Sequence, residues 1–86
     1  MQAFRLGAWL ERRGEWRAAI DRYERGVAQS MLAEPFYRGL MRCHGALGES
    51  SEALRAFRRC RELLSMVLGV SPSDETERLH QQIRAA

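Results

Sequence analysis

The chain has no lysine: all fourteen basic residues among its 86 are arginine, a usage that GC-rich coding alone favours. It holds only two cysteines, two histidines and two prolines. Each shortage excludes something. Cys43 and Cys60 have no Cys or His at ligand spacing, so neither a zinc site nor a redox motif is expected. On an antiparallel helix pair turning at Gly48 they would lie roughly 10 Å apart along the axis, too far for a disulfide. They read as small buried hydrophobes, which fits a reducing cytoplasm. No apolar run approaches the roughly 20 residues of a membrane span, and Arg5 and Glu11 interrupt any leader-like start. Sustained two-residue alternation is missing, so strands are not expected. Phosphate-cradling glycine loops and metalloprotease patterns are missing too. His44 and His80 lack a partner at a spacing that builds a nucleophile–base pair, and Ser50 and Ser51 read as helix caps. An enzyme is not expected, nor a metal or a cofactor.

What is present is a sequence written twice. LGAWLERRGEWRAAIDRYERG and LMRCHGALGESSEALRAFRRC align at a spacing of 34 residues. Leu6 falls on Leu40, Gly14 on Gly48, Glu15 on Glu49, Ala19 on Ala53, Ile20 on Leu54, Tyr23 on Phe57 and Arg25 on Arg59. In a helical sequence that period resembles the tetratricopeptide repeat, a helix–turn–helix unit that buries its apolar face only by stacking on a neighbour. The fold expected is all-α: a tetratricopeptide-like antiparallel array of two helical hairpins and a C-terminal helix. Residues 1–86 form one domain, with repeat one at about 2–30, repeat two at about 34–68 and the last helix at about 72–85.

Five helices account for the pattern. The first, about 2–13, carries Ala3, Leu6, Trp9 and Leu10 and ends at Gly14. The second, about 15–30, has Ala19, Ile20, Tyr23 and Val27 inward and Arg17, Asp21, Glu24 and Arg25 outward. The third begins at Glu34-Pro35, where proline suits a first turn, and its stripe includes Phe36, Tyr37, Leu40, Met41, His44 and Leu47. The fourth, about 51–68, is capped by Ser50 or Ser51, stopped by Gly69, and places Ala53, Leu54, Phe57, Cys60, Leu63, Leu64 and Leu68 inward. The fifth starts with Ser71 as the cap in a box with Asp74, or with Ser73 as the cap. Asp74, Glu75 and Glu77 favour the positive end of its dipole, and Leu79 and Ile83 anchor it.

The second half resembles a more specific family. Leu68-Gly69-Val70 after a long helix, then Pro72-Ser73-Asp74-Glu75-Thr76 and Leu79, are similar to the bacterial transcriptional activator domain. The resemblance spans nearly the whole chain. It implies a module of a larger cytoplasmic regulator, serving protein–protein contact and oligomerisation, with DNA contacted only through a separate domain. It brings no catalytic residue. The alternative is a free-standing adaptor or chaperone-like repeat protein that binds an acidic peptide.

Two features are candidates for partner binding. Phe4 and Trp9, with Met1, lie on a first helix that no preceding repeat covers in this chain, so an apolar face is expected to be open there. Trp16, at the turn, is expected to pack inside. Arg12, Arg38 and Arg42 fall on the first helices of the two repeats, which line the concave side of such arrays. Arginine forks hold carboxylates by two points, so an acidic segment is the ligand those three would suit. Arg55, Arg58, Arg59 and Arg61 crowd the fourth helix and read as a solvated outer face. The surplus of charge is small: eight arginines against five acids over residues 1–43 and six against six over 44–86. That is not the clustered basic face of a nucleic-acid-binding protein.

Overall fold

The computed structural model describes residues 2–86 and contains α1 (Gln2–Arg12), α2 (Trp16–Gln29), α3 (Glu34–Ala46), α4 (Ser50–Leu68) and α5 (Asp74–Ala85). No strand occurs among the described residues. Met1 and the side chain of Ala3, assigned above to the apolar side of the first helix, lie outside what is described.

The repeat begins with its turn. Gly14 and Gly48 both have positive φ, 77° and 74°, a region that any Cβ makes costly. Each closes the preceding helix in the same way. The Gly14 N–H donates to the Glu11 carbonyl at 3.0 Å, and the Glu15 N–H reaches Leu10 at 3.0 Å. In the second repeat Gly48 donates to Gly45 at 3.0 Å and Glu49 to His44 at 2.8 Å. This paired closure is the Schellman motif. Glu15 and Glu49 then serve as N-caps of α2 and α4, so each hairpin turns without spare residues. The expected serine cap of α4 is therefore corrected: Ser50 is already helical, and Glu49 holds the cap position with no side-chain cap bond. Its carboxylate is engaged elsewhere, by Arg17 and His44.

The core lies where the two hairpins meet. Each of α1 to α4 turns one stripe toward it: Leu10; Ala19, Tyr23 and Val27; Phe36, Leu40 and Cys43; Ala53, Phe57 and Cys60. Tyr23 is the central piece. A Cβ at Gly7 of α1 would come within 2.7 Å of its ring, and one at Gly39 of α3 within 2.5 Å. The ring thus slots between two helix backbones that can approach because both positions lack a side chain. Ala19 and Ala53, matched across the repeat, are both fully buried, as a close helix contact requires. Cys43 and Cys60 are buried free thiols.

Helix α5 packs on α3 and α4. Ser73, not Ser71, is its cap: the Ser73 Oγ accepts the Thr76 N–H at 3.3 Å. Ser73 is also fixed from across the fold, because Glu34 accepts its N–H at 3.0 Å and its hydroxyl at 3.0 Å. That carboxylate selects Ser73 over Ser71, and no local pattern encodes it. A second correction concerns the end of α4. Leu68, expected inward, is exposed, as are Met66, Val67 and Val70. The last turn of α4 has no helix opposite it among the described residues.

Candidate functional site

On α1, Trp9 is the open residue, 48% exposed against 37% for Phe4. Phe4 leans inward, its ring centroid 6.0 Å from Tyr23 and 5.9 Å from Phe36. Five residues apart on a helix, the two side chains diverge by roughly 140°. Trp9 carries the Arg13 guanidinium 4.7 Å above its ring, a contact favoured by the ring quadrupole. Trp16 packs against the core, partly buried.

The contact between α1 and α3 is built around carboxylates. Glu11 of α1 accepts the Tyr23 hydroxyl at 2.8 Å on one oxygen. Its two oxygens also receive Arg42 from α3, Nε at 2.7 Å and Nη2 at 3.2 Å. This tie couples α1, α2 and α3. It raises the Arg42 pKa, chiefly through the Glu11 hydrogen bond. Burial first and the Glu11 bond second push the Tyr23 phenol up, so it stays a donor. One turn earlier on α3, the Arg38 Nη1 donates to the Thr76 Oγ1 at 2.9 Å, and Thr76 donates to Glu34 at 2.7 Å. Burial alone would raise the Glu34 pKa. The hydrogen bonds from Thr76 and Ser73 and the Arg38 charge together leave it lowered.

Arg38 and Arg42 are thus brought together beside α5, where a cleft of about 250 Å³ opens between Arg38, Arg42, Glu75, Arg78, Leu79 and Gln82. It continues into a second depression of about 300 Å³ floored by Met41, Gly45, Ala46, Leu79 and Ile83. Arg12, the third arginine expected here, is exposed on α1 and lines neither depression. The Glu34–Arg38 spacing was readable as a helical pair. Glu11–Arg42, 31 residues apart, was not, and neither was Arg78 as the third cation. Also unread was the apolar end of α4, because periodicity does not say whether anything stands opposite.

One of the two histidines has a polar partner after all. His44 Nδ1 lies 2.7 Å from Glu49, which Arg17 also grips, linking the turns of the two repeats. His80 stacks on Phe57 at 3.7 Å with planes 3° apart, and its Nδ1 is buried without a hydrogen bond. Among the described residues, neither ring makes a hydrogen bond to a serine or a thiol. Among the described residues, no group of three or more His, Cys, Asp or Glu is gathered to hold a metal ion.

A family model described as the bacterial transcriptional activator domain matches residues 2–84. The chain belongs to that family. The activator domain is a domain of transcription regulators, and the match covers both hairpins and nearly all of α5. No curated protein and no solved structure shows a significant match. Within the described residues, no helix of the activator domain is long and apolar enough to cross a membrane.

Proposed function

We propose that this activator domain is a non-enzymatic protein-interaction and oligomerisation module of a cytoplasmic transcription regulator, in which a separate domain contacts DNA. The observation that carries this reading is Trp9, half open on a helix that, among the described residues, packs only against α2 and α3. Stacked helical units bury the faces of their end helices against a neighbour, and an open tryptophan is a common anchor of a protein contact. The neighbour is a second copy, paired through α1 about a twofold axis, or another domain of the parent regulator. Phe4 forms the inner edge of that contact and Trp9 its centre.

The test is the molar mass in solution by light scattering. The parent chain is expected to exceed the monomer mass as concentration rises, and Trp9→Glu to stay monomeric with unchanged helicity. Phe4→Glu with Trp9→Glu is the stronger variant, but Phe4 also touches Tyr23 and Phe36, so Trp9→Glu alone is the cleaner comparison. A parent that remains monomeric at millimolar concentration ends the self-association reading.

A further inference from the structure

The cleft between α3 and α5 has two unlike ends. At one end stand Arg38, Arg42 and Arg78, with Glu75 the single carboxylate among the residues lining it. At the other, Leu79 and Ile83 of α5 face Met41, Gly45 and Ala46 of α3. Arg42, Leu79 and Gln82 belong to both depressions, so the ends are continuous.

The arginines differ in what they have left to offer. Arg38 is 14% exposed and already donates to Thr76, with Glu34 and Glu75 nearby. Arg42 uses Nε and Nη2 on Glu11, yet its side chain is 39% exposed and has more N–H groups than those two bonds engage. Arg78 is exposed and has no carboxylate within 4.0 Å among the described residues. Two cations with free donors therefore flank an apolar floor, and the one nearby carboxylate, Glu75, is itself 70% exposed and leans toward Arg38. Within the floor, a Cβ on Gly45 would meet nothing closer than Ile83 at 4.0 Å, so the backbone there is not covered by a side chain.

We infer that this cleft binds an acidic, leucine-type segment of a partner protein. A carboxylate would reach Arg42 and Arg78, and a branched apolar side chain would lie on Leu79 and Ile83. The charge selects the partner: a guanidinium with unused donors in a half-apolar setting binds a carboxylate by charge-assisted bonds and repels a cationic side chain. The inference rests on the reading of the chain as an interaction module but uses a different surface from α1.

The test is a titration of the ¹⁵N-labelled chain at low salt with an acetylated peptide of two leucines flanked by glutamates. Its counterpart has glutamine for each glutamate. Saturable shifts centred on the amides of Gly45, Leu79 and Gln82 are expected with the acidic peptide. Arg78→Glu, at an exposed site outside the core, should weaken that binding by roughly tenfold, as the loss of a charge-assisted contact implies. Gln82→Glu should act in the same direction, which guards against a folding defect in either variant. No saturable shift up to millimolar peptide would overturn the inference. So would equal binding of the glutamine peptide, or shifts centred on Trp9 or on the end of α4. Light scattering separates the two claims: a chain that self-associates through Trp9 but ignores both peptides keeps the module and loses the cleft.

Discussion

Tyr23 shows how one residue holds this fold together. Its ring lies between the backbones of α1 and α3, and its hydroxyl donates to the carboxylate that Arg42 grips. The space it occupies exists only because residues 7 and 39 are glycine. Gly39→Ala puts a methyl group 2.5 Å from ring carbons that are fully buried and cannot swing aside. A cost of about 1–3 kcal/mol, typical of overpacking, is expected in denaturant unfolding. A midpoint equal to the parent's would mean that the ring is not so confined. Ala53→Leu, at the buried position that matches Ala19 across the repeat, should lose stability within the same rough range. The cysteines make another residue-scale test. Burial pushes the Cys43 thiol up to about 12 and the Cys60 thiol up to about 11. Neither forms a thiolate near neutrality, and neither is exposed. Iodoacetamide at pH 8 should leave both unlabelled until the chain is unfolded in guanidinium; rapid labelling of the native chain would contradict the packing described.

At the scale of the element, α5 is the helix held by polar bonds rather than by a broad apolar face. Thr76 is its one fully buried residue, and Leu79 and Ile83 are only partly covered. Two titrating groups report on its docking. His80 is stacked on Phe57, and burial lowers its pKa; Arg84 and Arg61 lower it further, while Glu77 opposes them. The folded state therefore prefers the neutral ring. That preference stabilises α5 above the unfolded histidine value of about 6.5 and is lost as pH falls through the lower folded value. Glu34, lowered by its bonds to α5, adds stability above its unfolded range that is lost in more acid solution. Amide exchange in α5 should accelerate between pH 7.5 and pH 5.5 relative to α2, after correction for the intrinsic rate. His80→Leu should remove that difference. Unchanged relative protection in the parent would show that α5 does not depend on the ring being neutral. How far the sequence reveals an element depends on where its reasons lie. The five helices and the turns at Gly14 and Gly48 were legible because a local period and a local φ requirement fix them. The cap at Ser73 was offered only as one of two, since its decisive partner, Glu34, is 39 residues away. Leu68 was misplaced for the opposite reason: its helical spacing is regular, but no element covers that turn. Of the candidate site, Arg38 and Arg42 were legible from their place on α3. The carboxylates that hold them, and Arg78 beside them, come from other helices.

At the scale of the whole molecule, half of the arginines are engaged by the chain's own carboxylates. Arg17 reaches Glu49, Arg42 reaches Glu11 and Arg59 reaches Glu24, each tying repeat one to repeat two. Arg59, placed by its spacing among the outward arginines of α4, instead lies 5.7 Å over the Tyr37 ring while bound to Glu24. Counting Arg13, Arg25, Arg38 and Arg55 as well, seven arginines stand within 4.0 Å of a carboxylate. The others are dispersed: Arg5 and Arg12 on α1, Arg22 on α2, Arg58 and Arg61 on α4, Arg78 and Arg84 on α5. No helix gathers more than two of these, and the net charge is only +3. Phosphate binding draws its strength from several cations placed along one path, and sequence readout requires an element presented to a groove. This surface provides neither. The chain alone should therefore bind duplex DNA weakly, with a dissociation constant of roughly micromolar or higher at about 0.15 M salt, and without preference among sequences. Fluorescence anisotropy with several labelled duplexes at low and moderate salt measures this directly. Nanomolar, sequence-selective binding would overturn the view that DNA recognition belongs to another domain, and would require the dispersed arginines to be gathered by an assembly of several copies.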